Sequence, residues 1–144
     1  MKPSQRLFEV TLTRPWHWGI ALIFDQDGDA PDVNPEELVS LGPSGMVILV
    51  RHAQDSIESS DGDWNWATAS LHVRLLAEIE PTPRAIACDA MLQTPTGRLD
   101  LGDADGCLTV SVDPGRTRVV VSVEDPTDKS PDHVWIDLLA AVDG

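Results

Sequence analysis

The residues of this sequence whose types and spacing could do chemistry are its acids. Asp25, Asp27, Asp29, Asp32, Glu36 and Glu37 crowd one short stretch. Asp55, Glu58, Asp61 and Asp63 form a second group, Asp100, Asp103 and Asp105 a third, and Glu124, Asp125, Asp128 and Asp132 a fourth. Converging carboxylates have two physical uses. They can hold a hard cation such as calcium, which wants six to eight oxygens, or they can stand in for phosphates and occupy the basic cleft of another protein.

The first use has a partial sequence match. Asp25-Gln26-Asp27-Gly28-Asp29 resembles the opening of an EF-hand loop, with Glu36 where the bidentate glutamate belongs. The match fails at Ala30, where the sharp turn needs glycine, and no helix is expected before the loop. A sandwich binding calcium through its end loops stays open as an alternative. The second use follows from the charge: 24 acids against 10 bases leave a net −14. Such a field repels phosphate backbones, so nucleic acid is an unsuitable partner and a basic protein surface a suitable one.

Enzyme signatures are absent: there is no GxSxG, HExxH, P-loop or Cys-x-x-Cys. His17, His52, His72 and His133 sit in separate segments without the His-x-His spacing that would favour a metal. His52 with Asp55, or His72 with Glu78, are pairs any acidic chain offers by chance, so no catalytic residue is assigned. Cys88 and Cys107 are too few for a disulfide framework. The tryptophans have two readings. Trp16 with Trp18, and Trp64 with Trp66, share a face at strand spacing, as a ligand platform or as core.

These groups need elements to hold them. From Cys107, Leu108, Val110 and Val112 alternate with Thr109, Ser111 and Asp113, the period of a strand with one buried face. Asp113-Pro114-Gly115 is a turn, and the return run Arg118–Val123 is rich in β-branched residues, so the spacing predicts a hairpin. Further strands are expected over 7–13, 17–25, 45–53, 85–93 and 133–142, with one long bent strand or two over 64–79. Asn34 as cap, Pro35 at the first helical position and Gly42 as terminator predict one short helix. The expected fold is all-β: a single-domain antiparallel β-sandwich over residues 1–144, of about eight or nine strands with one short helix. Sandwiches gather loops at their two ends, so several acidic loops can converge on one pole, and the sequence leaves open which loops meet there. No signal peptide or membrane span is read, and the expected location is cytoplasmic.

The opening strand Phe8–Leu12, the Pro-Thr-Gly turn at Pro95–Gly97, the Asp-Pro-Gly turn at Asp113–Gly115 before a valine strand, and a final apolar strand together resemble the competence-protein-J-type nuclease inhibitors, and acidic immunity proteins generally. That resemblance implies a small acidic β-sandwich with an inhibitor role. The resulting expectation is a non-enzymatic acidic protein that binds a basic partner such as a nuclease. Its expected contacts are Asp25, Asp27, Asp29, Asp32, Asp61, Asp63, Asp103 and Asp105. The alternative is a calcium-dependent binding module with a tryptophan platform. No cofactor other than that calcium is expected.

Overall fold

The structure, a computed structural model, describes residues 6–54, 57–58, 64–78, 80, 82–104 and 106–139. Its strands are β1 (Arg6–Arg14), β2 (Ile20–Asp25), β3 (Val39–Leu41), β4 (Gly45–Leu49), β5 (Ile57–Glu58), β6 (Trp64–Asn65), β7 (Ala69–Leu76), β8 (Ala85–Thr94), β9 (Arg98–Asp103), β10 (Gly106–Ser111), β11 (Gly115–Val123) and β12 (His133–Leu139). One five-stranded sheet runs β1-β7-β12-β11-β8, a second runs β10-β9-β2-β4-β3, and β5-β6 is a two-stranded ladder. Both expected segments of the 64–79 run are present, as β6 and β7. Among the described residues no helix is formed, and none is long and apolar enough to cross a membrane.

The two sheets share one core, a sandwich-like arrangement. Ile23, Met46, Ile48, Leu99, Leu101 and Val110 of one sheet meet Leu71, Val73, Leu92, Val119, Val121, Ile136 and Leu138 of the other in a single buried cluster. Period-two alternation sends these residues inward from each strand, and full burial of each such side chain is worth about 1.5–3 kcal/mol. The Trp16 ring closes this core. It is fully buried, and its Nε1–H donates to the Ala69 carbonyl at 3.0 Å.

Three expectations are corrected. The pairing is not wholly antiparallel: β12 lies beside β7 in parallel, with Trp135 opposite His72 and Asp137 opposite Arg74. The expected helix after Asn34 is a single turn. Asn34 does cap it, its Oδ1 accepting from Glu36 N–H at 3.1 Å. The next residues instead become edge strand β3, because Val39–Leu41 finds hydrogen-bonding partners along β4.

The third correction concerns the hairpin. β10 and β11 do not pair with each other across Asp113-Pro114-Gly115. β10 pairs with β9 in one sheet, while β11 pairs with β8 and β12 in the other. The turn residues mark a corner where the chain changes sheet, and a second corner at Thr94–Arg98 lies beside it. Gly97 takes a left-handed φ of 71° there, and its carbonyl accepts from Val112 N–H at 2.9 Å. The buried Thr94 hydroxyl donates to the Asp113 carbonyl and lies 3.0 Å from the Thr117 hydroxyl, tying the corners together. Strands β8–β9 and β10–β11 are thus the two arms of one long hairpin, folded over so that each half serves a different sheet.

Candidate functional site

Strand direction sorts the loops into two poles. β2 begins at Ile20 and ends at Asp25, so the segments 15–19, 50–54, 66–68 and 124–132 gather at one pole. Backbone bonds from Arg51 to Pro131, Ser70 to Asp132, and Ala67 to Ala53 join them. The segments 25–29, 42–45, 94–98 and 112–114 gather at the other, tied by bonds from Asp25 to Ser44, Gln26 to Arg98 and Gln93 to Pro43. Loop 26–38 runs between the poles, and at its far end Lys129 Nζ donates to the Glu36 carbonyl. The acids are therefore divided between the two poles. Among the described residues, β2 delivers Asp25 to one pole, while the β9 end and the β11–β12 connection deliver Asp103 and Glu124–Asp132 to the other.

The expected contact residues separate accordingly. Asp25 is the last inward-facing residue of β2 and is fully buried at the corner. Its Oδ1 accepts from Thr96 N–H at 3.2 Å and Thr96 Oγ1–H at 2.8 Å, and its Oδ2 from Asp27 N–H at 3.0 Å. A carboxylate so placed fastens the corner and presents nothing to a partner. Asp103 is buried as well and ion-paired with Arg14 at 2.7 Å. Asp27, Asp29 and Asp32 are exposed along the loop. Asp61, Asp63 and Asp105 lie outside the described residues. Among the described residues no three metal-ligating side chains come together.

Trp16 and Trp18 do not share a face. Gly19 N–H returns to the Trp16 carbonyl at 3.0 Å and Gly19 has a φ of 67°, so the segment is a turn and period two does not apply. Trp16 goes into the core while Trp18 is 58% exposed. Trp66 is 57% exposed at the same pole, with His17 edge-on to it at 5.0 Å. Beyond them stand the exposed Glu124, Asp125, Asp128 and Asp132.

A second constellation lies on the outer face of the first sheet, where Thr11, His72 and Trp135 form one cross-strand row. His72 Nε2 is 3.0 Å from His133 Nδ1, and His72 Nδ1 is 3.2 Å from Thr11 Oγ1. Trp135 stacks on both imidazoles at 4.9 and 5.9 Å, and the Arg84 guanidinium lies 4.2 Å above the Trp135 ring. Partial burial pushes the His72 pKa down, helped by His133 and Arg84 and opposed by Glu9. Sequence reasoning missed this cluster. Alternation does put His72, His133 and Trp135 at outward positions, but nothing in the sequence says that β7 and β12 are neighbours.

No protein-family description matches this chain, and no curated protein matches it in sequence. Solved structures similar in fold include ComJ from Bacillus subtilis, described as an inhibitor of the DNA degrading activity of NucA. It is 10% identical, with a TM-score of 0.63 over 97% of this chain and 100% of ComJ. A protein described as crocagin biosynthetic gene J is 15% identical, with a TM-score of 0.51 over 98% of this chain and 100% of that one. The resemblance read from the strand and turn pattern thus holds at the level of the fold, over nearly the whole chain.

Proposed function

We propose that this chain is a binding protein without catalytic activity of its own, holding a basic protein partner, with a nuclease as the concrete case. The observation that carries this reading is the full-length fold likeness to a nuclease inhibitor in a chain of net charge −14. Exposed Asp27, Asp29 and Asp32 supply a field that speeds encounter with a basic cleft and mimics its phosphates. Exposed Trp18 and Trp66 supply what charge alone does not, large rigid apolar groups able to anchor a partner once water is excluded. Asp25 and Asp103 hold the loop and the β9 end in place.

The alternative, a calcium-dependent module with a tryptophan platform, draws support from the exposure of Trp18 and Trp66. Its calcium loop is weakened because Asp25, the first oxygen donor of the series, has both oxygens engaged inside the fold.

The test is DNA cleavage by NucA-type nucleases titrated with the purified chain. Stoichiometric inhibition is expected, and it should weaken at least about tenfold, near 1.4 kcal/mol, in the triple variant Asp27→Asn, Asp29→Asn, Asp32→Asn. Inhibition equal in the parent and the triple variant removes the acidic loop from the mechanism. No inhibition by a molar excess of folded protein removes the nuclease reading.

A further inference from the structure

We infer that His72 and His133 form a binding site for a borderline divalent transition ion of the Zn2+ class on the outer face of the first sheet. The argument starts with register. In the parallel β7–β12 pair His133 stands opposite Ser70 and Trp135 opposite His72, so the two histidines are diagonal neighbours on one face. Their ring planes lie within 13° of parallel with centroids 5.2 Å apart, and His72 Nε2 is 3.0 Å from His133 Nδ1. Two imidazoles in that contact share one proton, and a metal ion can take its place. With metal–nitrogen bonds of about 2.0–2.1 Å at a tetrahedral angle, two ligating nitrogens stand roughly 3.3 Å apart. Seating the ion then needs the observed contact opened by a few tenths of an ångström and each ring turned in its own plane by about 35°, so that both lone pairs meet at the metal.

The surroundings fit a ligand role. Thr11 Oγ1, 3.2 Å from His72 Nδ1, can accept the Nδ1–H and so leave the Nε2 lone pair facing His133. An outer partner of this kind is what orients a metal-binding imidazole. Trp135 stacks on both rings and so keeps their planes aligned, while leaving each free to turn in its own plane. His133 also borders a small recess lined by Glu124, Asp125, Asp128, Pro131 and Asp132, which gathers cations beside the pair. Arg84 opposes this locally, stacked on Trp135. Imidazole nitrogens select Zn2+, Ni2+ or Cu2+ over Ca2+ and Mg2+. Two protein ligands leave the other positions to water, so the ion is exchangeable.

The test is calorimetric titration of the intact chain with ZnCl2 near pH 7.5, beside CaCl2. One equivalent of Zn2+ is expected to bind saturably, and His72→Asn and His133→Gln should each weaken it at least tenfold. His17→Asn and His52→Asn should leave it unchanged. Histidine ring resonances in the unmutated protein provide a second measurement that does not depend on how the variants fold. Zn2+ should move those of His72 and His133, and Ca2+ neither. No saturable Zn2+ binding, binding indifferent to both substitutions, or shifts confined to His17 and His52 would each overturn the assignment.

Discussion

Arg74 and Asp137 face each other in register across the parallel β7–β12 pair, with Nε donating to one carboxylate oxygen at 2.8 Å and Nη2 to the other at 2.7 Å. Both are buried on the outer side of the sheet. Glu80 approaches the same guanidinium at 3.5 Å. The pair stands where, alone among the described strands, two neighbours run the same way, next to the histidine row.

Removing one partner leaves a buried charge without its complement. Asp137→Ala is expected to cost about 3–5 kcal/mol, while the double variant Arg74→Met, Asp137→Leu recovers most of it. Guanidinium denaturation of the three proteins measures both. Equal losses in the single and double variants would mean that packing, not charge, is what Asp137 supplies.

The corner carboxylate offers a second test. Asp25→Ala deletes the acceptor of three hydrogen bonds from Thr96 and Asp27. Such charge-assisted bonds contribute about 1.5–3 kcal/mol, so a loss of unfolding free energy of at least that size is expected, read as a lower urea midpoint with the slope unchanged. A neutral result would place Asp25 back among the surface acids.

The tryptophans should separate cleanly. Trp16→Ala opens a cavity in the core and is expected to cost about 3–5 kcal/mol. Trp18→Ala and Trp66→Ala remove largely exposed rings and should change stability by less than about 0.5 kcal/mol. Thermal melts of the three variants decide this, and a large loss at Trp18 would contradict its exposure.

His72 gives a pH dependence of defined sign. Its folded pKa lies below the usual value near 6.5, because burial first, then His133 and Arg84, disfavour its cation. In the window from that depressed pKa up to about 6.5 the unfolded chain binds more protons, so stability rises with pH there and is complete above it. Melting temperature, measured with EDTA present, should therefore fall more steeply from pH 7.5 to 5.5 in the parent than in His72→Gln. Parallel curves would sink the idea.

Much of this was legible in the sequence. Alternation marked β1 and β10, where one face is buried, and apolar or β-branched runs marked β8, β11 and β12, each to within a few residues. What alternation cannot supply is the neighbour. Asp113-Pro114-Gly115 does turn the chain, yet β11 lies across from β8, because a turn residue fixes local dihedrals and not the sheet to which the next strand is added. The same limit hid His72 from His133 and Arg74 from Asp137, which lie far apart in the chain. Trp18 was misplaced for another reason: Gly19 turns the backbone before strand periodicity begins. Asp25 read as one more loop acid, and only the corner geometry makes it interior.

The folded hairpin of β8–β9 and β10–β11 has a consequence for how the molecule comes apart. Its two arms pass from one sheet into the other at paired corners, and Thr94 and Thr117 fasten them where they bend. Opening either sheet pulls on strands that also belong to the other, so the layers have no independent route to disorder. Amide protons in the middle of β2 and in the middle of β11 should then exchange through the same global opening, as one cooperative unit.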